Sequence, residues 1–190
     1  MSDVLLTYGW VRSSYSALRN LKKHDLEVVV SDSSRMGMSQ FSRLSCGFKK
    51  YTSHYEDENK FISDILNICS YKDIKLILPS HNETEIIARH RDKFSEDLVV
   101  MIPDESHCRM FNNKALAYDY VKKLNISVPK RLEYSDPDLI TQLLNNKKMG
   151  KTVVKLLTGN SGKGVFYGKD AAHTQSIVKN LIEKFQLDET

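Results

Sequence analysis

The stretch "VVKLLTGNSGKGVFYGKD", residues 153–170, contains an apolar strand, a loop of small residues with a lysine, and a second strand-like run. This pattern predicts an antiparallel hairpin, because β-branched and aromatic residues flank the glycines on both sides. Glycines let a backbone adopt positive φ and come close to a ligand, so N–H groups between Gly159 and Gly164 could contact phosphate oxygens. An ordinary hairpin with a glycine-rich tip fits the same residues, and the stretch alone leaves both interpretations open.

Two other phosphate-binding loops are excluded by spacing. A Walker A loop has the pattern G-x-x-x-x-G-K-[ST] and leads into a helix. Around Gly162 and Lys163 the first glycine position is Leu157, and Gly164 stands where Ser or Thr is needed. A dinucleotide-binding fingerprint is excluded as well, because the first strand is followed by "YGWVRSSY" with a single glycine.

Two lysines occupy positions that a lysine does not favour. Lys155 lies on an apolar strand, where burial of the ammonium costs free energy unless an anion pairs with it. Lys114 begins a predicted helix, where the helix dipole disfavours a cation. Each position is ordinary for an exposed lysine, but together with the glycine loop they suit a ligand with several negative charges.

The first hundred residues alternate between strand and helix patterns. Strands are predicted at 4–8, 27–32, 75–79 and 98–103, with a short extended piece at 50–52, and helices at 13–24, 57–71 and 83–94. Apolar strands that alternate with amphipathic helices predict a parallel sheet covered on both faces. We therefore expect an α/β fold, a small doubly wound parallel sheet, over residues 1–103.

The pattern changes in residues 104–190. We predict helix at 105–125 with a break near Asn112–Asn113, an edge strand at 126–134 containing Pro129, helix at 136–146, the glycine hairpin, and helix at 170–185. This order predicts a second, α+β domain with antiparallel strands.

Two stretches carry a resemblance to a known family: "NNKALAYDYVKKLNISVPK" (112–130) and "VVKLLTGNSGKGV" (153–165). The first is similar to the lysine-bearing helix and G-I-x-x-P turn of the ATP-grasp superfamily, and the second to its strand and glycine-rich flap. That superfamily includes carbamoyl phosphate synthase large chains and carboxylate–amine ligases. The resemblance implies a pre-ATP-grasp α/β domain followed by the small subdomain of an ATP-grasp fold, ending before the larger subdomain. Leu156 stands in place of the proline of that pattern, and Asn125 in place of its glycine.

The resemblance also implies ligands and chemistry. ATP would bind with Mg²⁺, whose protein ligands are expected outside this chain, and a carboxylate would be activated as an acylphosphate for attack by an amine or similar nucleophile. The partners would be small-molecule carboxylate and amine substrates. The residues implied at the nucleotide are Lys114 and Lys155 at the phosphates, with Gly159, Ser161, Gly162 and Gly164 in the flap.

The same resemblance implies that this chain supplies half of an ATP clamp. We expect a truncated piece of a longer ligase or one half of a split gene, inactive alone and completed by a C-terminal subdomain or a second chain. A non-catalytic binding or regulatory domain that pairs with a second chain is the alternative. Apolar surface exposed by residues 105–190 is expected to favour self-association.

Loops after the strands of the first domain are candidates for the substrate pocket, because open α/β sheets bind ligands at the carboxyl ends of their strands. Arg12 and Arg35 could bind an anionic substrate, although surface arginines are usually only solvated, and Glu83 is a third candidate contact. The three loops are "TYGWVRSS" (7–14), "SDSSRMG" (31–37) and "PSHNETE" (79–85).

The third of these loops has a second interpretation. Asn82 with Glu85, or Ser80 with Glu83, fits a helix capping box, in which the side chains satisfy backbone N–H groups at the start of a helix. The sequence favours capping over substrate contact here.

The composition narrows the classes of protein to which the chain can belong. The 190 residues include 28 basic and 24 acidic side chains, a net charge of +4 without a basic block, which favours anionic ligands slightly and falls short of a nucleic-acid footprint. No apolar stretch approaches the length of a membrane span. Cys46, Cys69 and Cys108 form no C-x-x-C pair, which predicts thiols in a reducing cytoplasm.

Overall fold

The computed structural model describes residues 3–132, 151–159, 162 and 164–185. The chain divides into two compact units, unit 1 (Met1–Arg109) and unit 2 (Met110–Thr190). None of the helices in the described ranges is both long and apolar enough to cross a membrane.

Unit 1 contains a five-stranded sheet in the order β3-β2-β1-β4-β5, and all four strand pairings are parallel. The chain places β2 and β3 on one side of β1 and then β4 and β5 on the other. The carboxyl ends of β1 and β4 therefore flank a topological switch point, where sheets of this kind bind ligands. The strands are β1 (Val4–Leu6), β2 (Val28–Asp32), β3 (Gly47–Lys50), β4 (Leu76–Leu78) and β5 (Val99–Val100).

Helices cover both faces of this sheet. Alternate residues of β1 point to opposite sides, so that Leu5 packs in one core with Phe61, while Val4 and Leu6 pack in the other with Leu18. This arrangement confirms the predicted α/β doubly wound sheet. The helices of unit 1 are α1 (Arg12–Lys23), α2 (Glu58–Lys72) and α3 (Glu83–Arg89), and a 3-10 turn follows at Arg91–Lys93.

Several predicted strands are shorter in the structure. β1 ends at Leu6 because Tyr8 adopts a left-handed backbone with φ 52°, which a strand cannot contain. β3 lies at Gly47–Lys50, earlier than the predicted piece at 50–52, and β5 is only Val99–Val100. The predicted helix at 83–94 ends as an α-helix at Arg89, where His90 leaves helical geometry.

The second half of the chain begins with two helices separated at the predicted break. Asn113 has an extended backbone, and its side chain accepts hydrogen bonds from the N–H groups of Ala115 and Leu116. Asn125 adopts φ 56° just after the second helix, a left-handed conformation that asparagine tolerates better than most side chains, which explains why it can replace glycine. The elements are α4 (Glu105–Asn112), α5 (Lys114–Lys123), β6 (Thr152–Lys155), β7 (Val165–Gly168) and α6 (Ala171–Phe185).

Residues 126–132 form no strand, so the predicted edge strand is wrong over this described part. The segment is held instead against α5 by side chains. Tyr118 Oη donates to Pro129 O (3.0 Å), and Arg131 Nη1 donates to Ala115 O and to Asp119 Oδ1 (3.1 Å each). The predicted helix at 136–146 lies outside the described residues.

Candidate functional site

The glycine-rich hairpin is antiparallel, as predicted. Lys155 pairs with Val165 in the last register position of β6 and β7. The ladder continues one step toward the loop, because Leu156 N donates to Gly164 O (2.8 Å). Proline has no N–H and could not make this bond, so the leucine at 156 adds a hydrogen bond at the base of the loop.

The described glycines of the loop use the backbone freedom that the sequence implied. Gly159, Gly162 and Gly164 have φ of 111°, 78° and 80°, a region that L side chains rarely adopt. A Cβ atom on Gly162 would meet no other atom within 4 Å, so this part of the loop borders open space. Ser161, the remaining predicted flap residue, lies outside the described residues.

Lys155 lies on the solvent-facing side of the hairpin. Its side chain is exposed, as are those of Val153 and Tyr167, which pair across the two strands on the same face. The cost of burying a lysine therefore does not arise at this position. Lys155 instead lies on an open face of the hairpin beside exposed apolar side chains.

Lys114 is brought to the base of the loop. Its backbone N–H donates to Leu157 O (2.9 Å), and its ammonium Nζ donates to Gly159 O (2.9 Å) and Leu157 O (3.5 Å). These carbonyl contacts offset the unfavourable position of a cation at the first residue of α5. Lys114 and Lys155 thus both lie where β6 enters the loop.

The other face of the hairpin packs on α6. Thr152 Oγ1 and Thr174 Oγ1 are hydrogen-bonded at 2.6 Å, and Thr174 is buried. A Cβ atom on Gly168 would come within 2.1 Å of Thr174 Oγ1 and 2.2 Å of Thr152 Oγ1, so only glycine permits this approach. The helix therefore covers the face opposite Lys155 and leaves the Lys155 face open.

In unit 1, a buried carboxyl group joins the loops after β1, β3 and β4. The hydroxyl of Tyr51 donates to Glu83 Oε1 and accepts from Tyr8 N (3.1 Å). Glu83 is only 2% exposed, and its Oε2 has no hydrogen-bond partner among the described residues. The side chain of Glu83 is thus directed into unit 1.

Burial controls the charge state of this carboxyl group. Desolvation raises the pKa of Glu83 to about 7, with a smaller contribution from the nearby Asp32 carboxylate, while the hydroxyls of Thr7 and Tyr51 oppose the shift. Burial and the adjacent Glu83 also raise the pKa of Tyr51, so its hydroxyl stays protonated and remains a donor.

Asp32 joins the ends of β1 and β2. It is buried, and its two carboxyl oxygens accept from Trp10 N and Ser34 N at 2.8 Å each. The loop that contains Trp10 lies directly against β2, since a Cβ atom on Gly9 would come within 2.5 Å of Val30 Cγ1. Glycine is required here for close approach, not for a phosphate-binding fingerprint.

The loops after β1 and β4, at the switch point, contact each other through two stacked rings. The rings of Tyr8 and His81 lie 4.6 Å apart and nearly parallel, and both residues have a left-handed backbone, with φ of 52° and 64°. Ser80 N donates to Thr7 Oγ1 (3.3 Å), and Ser14 Oγ donates to Ser80 Oγ (3.2 Å). Left-handed non-glycine residues cost free energy, and they cluster at functional sites.

The three predicted substrate contacts follow different strands. Arg12 and Arg35 are exposed, the first at the start of α1 and the second in the loop after β2, whereas Glu83 is buried on Tyr51. The capping interpretation of the third loop is wrong: α3 begins at Glu83 without a side-chain cap, and Asn82 Nδ2 donates to Tyr55 Oη (2.8 Å).

Sequence reasoning missed Asp32 and Tyr51, the residues that hold these loops. Each is a polar or amphipathic residue at the end of a strand, Asp32 as the last residue of β2 and Tyr51 directly after β3. That position was a usable signal, because the carboxyl ends of parallel strands meet at one edge of the sheet.

Comparisons with solved structures agree with this architecture. N5-carboxyaminoimidazole synthetase from Staphylococcus aureus, solved with ADP, has a TM-score of 0.69 at 13% identity over 94% of this chain and 44% of its own. The biotin carboxylase domain of the Hydrogenobacter thermophilus 2-oxoglutarate carboxylase was solved with MgADP and bicarbonate. It has a TM-score of 0.66 at 13% identity, over 95% of this chain and 40% of its own. L-amino acid ligase from Bacillus licheniformis has a TM-score of 0.65 at 10% identity, over 95% of this chain and 42% of its own.

These likenesses define the class of fold. The chain has the fold of the N-terminal part of ATP-grasp proteins, as the sequence resemblance implied. It spans about 40–44% of the length of these neighbours. No family model matches the chain, and the comparison with curated proteins finds no match.

Proposed function

We propose that the chain is the N-terminal part of an ATP-dependent ligase. The complete enzyme activates a carboxylate as an acylphosphate, and an amine or similar nucleophile then displaces the phosphate. Unit 2 supplies one side of an ATP clamp, and unit 1 supplies part of the substrate pocket. Small-molecule carboxylates and amines are the partners, and ATP with Mg²⁺ is the energy source.

The observation that carries this proposal is the position of Lys114. Its ammonium contacts the carbonyls of Leu157 and Gly159, at the entry to a loop whose described glycines all have positive φ. A second ammonium, that of Lys155, is two residues before Leu157 on the open face of the hairpin. Two cations beside a glycine loop favour a polyphosphate over an uncharged ligand.

In this proposal each side chain has a separate role. Lys155 and Lys114 bind phosphate oxygens, and backbone N–H groups of the flap glycines complete the cradle. The apolar face with Val153 and Tyr167 packs against the nucleotide base. Mg²⁺ would neutralise the charge shared between ATP and the acceptor. By the family resemblance, we expect the protein ligands of Mg²⁺ in another part of the enzyme.

The contribution of unit 1 comes from the carboxyl edge of its sheet. Arg12 and Arg35 bind an anionic group of the substrate. Glu83 acts as a positioning residue, because it holds the Tyr51 hydroxyl that in turn binds the backbone of Tyr8. Its buried carboxyl group does not itself need to meet the substrate.

Location and assembly belong to the same proposal. None of the three cysteines, all within the described residues, is in a disulfide, which fits a reducing cytoplasm. Unit 2 exposes apolar side chains, among them Phe111, Leu124 and Tyr167, that would favour self-association of the isolated chain.

Calorimetric titration of ATP into the complete protein tests the proposal. Lys155→Ala and Lys114→Ala should each weaken ATP binding roughly ten- to a hundredfold, since a charge-assisted hydrogen bond contributes about 1.5–3 kcal/mol. Lys169→Ala is the matched control, because Lys169 is exposed beyond the opposite end of β7. Equal dissociation constants for the unaltered protein and Lys155→Ala would overturn the proposal, provided circular dichroism shows that both are folded.

A further inference from the structure

Unit 1 contains a polar cleft of about 440 Å³ outside the carboxyl ends of β2 and β3. This is the ligand-binding edge of an open α/β sheet, although the cleft lies away from the switch point between β1 and β4. Tyr51 forms part of its wall, and its other lining residues include Ser33, Ser34, Lys50, Ser53, Glu56 and Asp64.

Several side-chain hydrogen-bond donors in this cleft have no acceptor within the described part of the chain. The Lys50 ammonium makes no ion pair there. Ser34 Oγ accepts from Met36 N (3.1 Å), and Ser53 Oγ accepts from Tyr55 N (3.3 Å), which leaves both hydroxyl protons available. An ammonium with two hydroxyl donors suits a carboxylate.

The two carboxylates of the cleft differ in whether they already have hydrogen-bond and ion-pair partners. Asp64 accepts from Thr52 N (2.9 Å) and Thr52 Oγ1 (2.8 Å) and pairs with Lys60 (3.0 Å). Burial alone would raise the pKa of Asp64, but the Thr52 and Lys60 contacts hold it below its ordinary value, so Asp64 is an ionised structural group. Glu56 makes no ion pair with any described residue and is the carboxylate available to a ligand.

The balance of charge selects the ligand. Lys60 neutralises Asp64, which leaves Lys50 and Glu56 as one free positive and one free negative charge. A phosphate would meet two carboxylates in this cleft, and a simple cation would meet the lysine. A molecule that carries both charges can pair with both of these exposed side chains.

We propose that this cleft binds a small zwitterion of the α-amino acid class, with its carboxylate at Lys50 and its ammonium at Glu56. The hydroxyls of Ser34 and Ser53 donate to the carboxylate. An amino acid offers both a carboxylate and an amine, so the assignment names a substrate class for the ligase, and in that respect it rests on the proposed function. Binding itself requires only unit 1 and no nucleotide.

The wall of the cleft connects it to the switch point. Tyr51, one of the residues that line the cleft, holds Glu83 and the backbone of Tyr8 through its hydroxyl. An occupant of the cleft would therefore lie beside the residue that positions the loop after β1. This contact is a physical route by which an amino acid, as substrate or as effector, acts on the switch-point loops.

Thermal-shift and calorimetric titration of the 190-residue chain with single L-α-amino acids, without ATP, test the site. We expect at least one to bind, and its N-acetyl and amide derivatives, which each lack one charge, to bind more weakly. Lys50→Met and Glu56→Gln should each weaken binding at least about fivefold, the effect of one partly exposed ion pair. Lys49→Met and Glu96→Gln are matched controls, since the Lys49 ammonium lies over Tyr71 and Glu96 is exposed elsewhere.

Three results would overturn the site: a folded chain that binds no amino acid, binding unaffected by both Lys50→Met and Glu56→Gln, or inorganic phosphate that binds in preference to every amino acid.

In the complete protein, incorporation of the bound amino acid into product identifies a substrate, and a changed rate without incorporation identifies an effector. Failure of the proposed ATP site can be distinguished from failure of the amino acid site. If only the ATP site is wrong, Lys155→Ala leaves nucleotide binding unchanged while the chain still binds the amino acid.

Discussion

Unit 1 and unit 2 are stabilised in different ways. In the described residues every buried hydrophobic side chain except that of Leu181 belongs to unit 1, where two clusters fill the faces of the parallel sheet. The described part of unit 2 is a two-stranded hairpin with helices, and many of its large apolar side chains are exposed.

The difference concerns how much of each unit is stabilised by buried packing. A five-stranded sheet with two covered faces has its own core, whereas a two-stranded hairpin is marginal by itself. The contacts in the described part of unit 2 include hydrogen bonds at the loop base and the Thr152–Thr174 contact. Regions with few buried contacts open at low free-energy cost, so we expect the hairpin to open more readily than the sheet of unit 1.

The largest expected effect concerns a phenylalanine in each unit. Phe61 is fully buried in unit 1, whereas Phe111 in unit 2 is 60% exposed and touches Tyr120 edge-on. Phe61→Ala should destabilise unit 1 by about 3–5 kcal/mol, because it leaves a cavity. Phe111→Ala should change stability by about 1 kcal/mol or less.

Amide hydrogen exchange can measure both variants, because it reports the opening free energy of each unit separately. Protection of the β1 and β2 amides should fall in Phe61→Ala and stay unchanged in Phe111→Ala. A similar loss of stability in the two variants would show that the comparison of a filled core with a sparsely packed unit is wrong.

The next effect is a pH dependence that only unit 1 should show. Because burial raises the pKa of Glu83 from 4.5 to about 7, the folded state holds a proton that the unfolded state releases. The stabilising contribution is complete below pH 4.5 and is lost as the pH rises to about 7. The free energy of unfolding should fall by about 3 kcal/mol across this window.

Glu83→Gln provides the control for this titration. Glutamine keeps an oxygen acceptor for the Tyr51 hydroxyl but cannot ionise, so the variant should lose the pH dependence between 4.5 and 7. Urea unfolding at a series of pH values measures the change. A profile of equal slope in the two proteins would mean that another group titrates in this window.

The smallest effect compares two glycines that are required for different reasons. At Gly9 a Cβ atom would come within 2.5 Å of Val30 Cγ1, so Gly9→Ala should cost about 1–3 kcal/mol through overpacking. At Gly162 the space is open but φ is 78°, so Gly162→Ala should cost only about 1 kcal/mol of backbone strain.

The two glycine variants should also differ in location. Gly9→Ala lowers the melting temperature of unit 1, and Gly162→Ala alters only exchange of the hairpin amides near the loop. Differential scanning calorimetry with hydrogen exchange separates these outcomes. If Gly162→Ala destabilised the chain more than Gly9→Ala, the loop would be packed more tightly than the structure indicates.

The sequence by itself determined the elements whose signals are local. Alternating apolar strands and helices predicted the doubly wound sheet, and the break at Asn112–Asn113 and the glycine hairpin were also correct. Backbone propensity and periodicity act within a few residues, so they can be read from the chain directly. The edge strand at 126–134 failed over its described residues because the Tyr118 and Arg131 side chains hold that segment on a helix.

Only the tertiary structure decided which polar side chains act together. Tyr51 and Glu83 are 32 residues apart, and Lys114 and Gly159 are 45 apart, so no local pattern connects them. The sequence places Glu83 at the start of a helix, where a carboxylate ordinarily serves as a cap. Only the packed fold shows that its carboxyl group is buried and bonded to Tyr51 instead. Desolvation and long-range hydrogen bonds depend on the packed fold, and for that reason the pKa of Glu83, the Lys114 contacts and the polar cleft appear only in three dimensions.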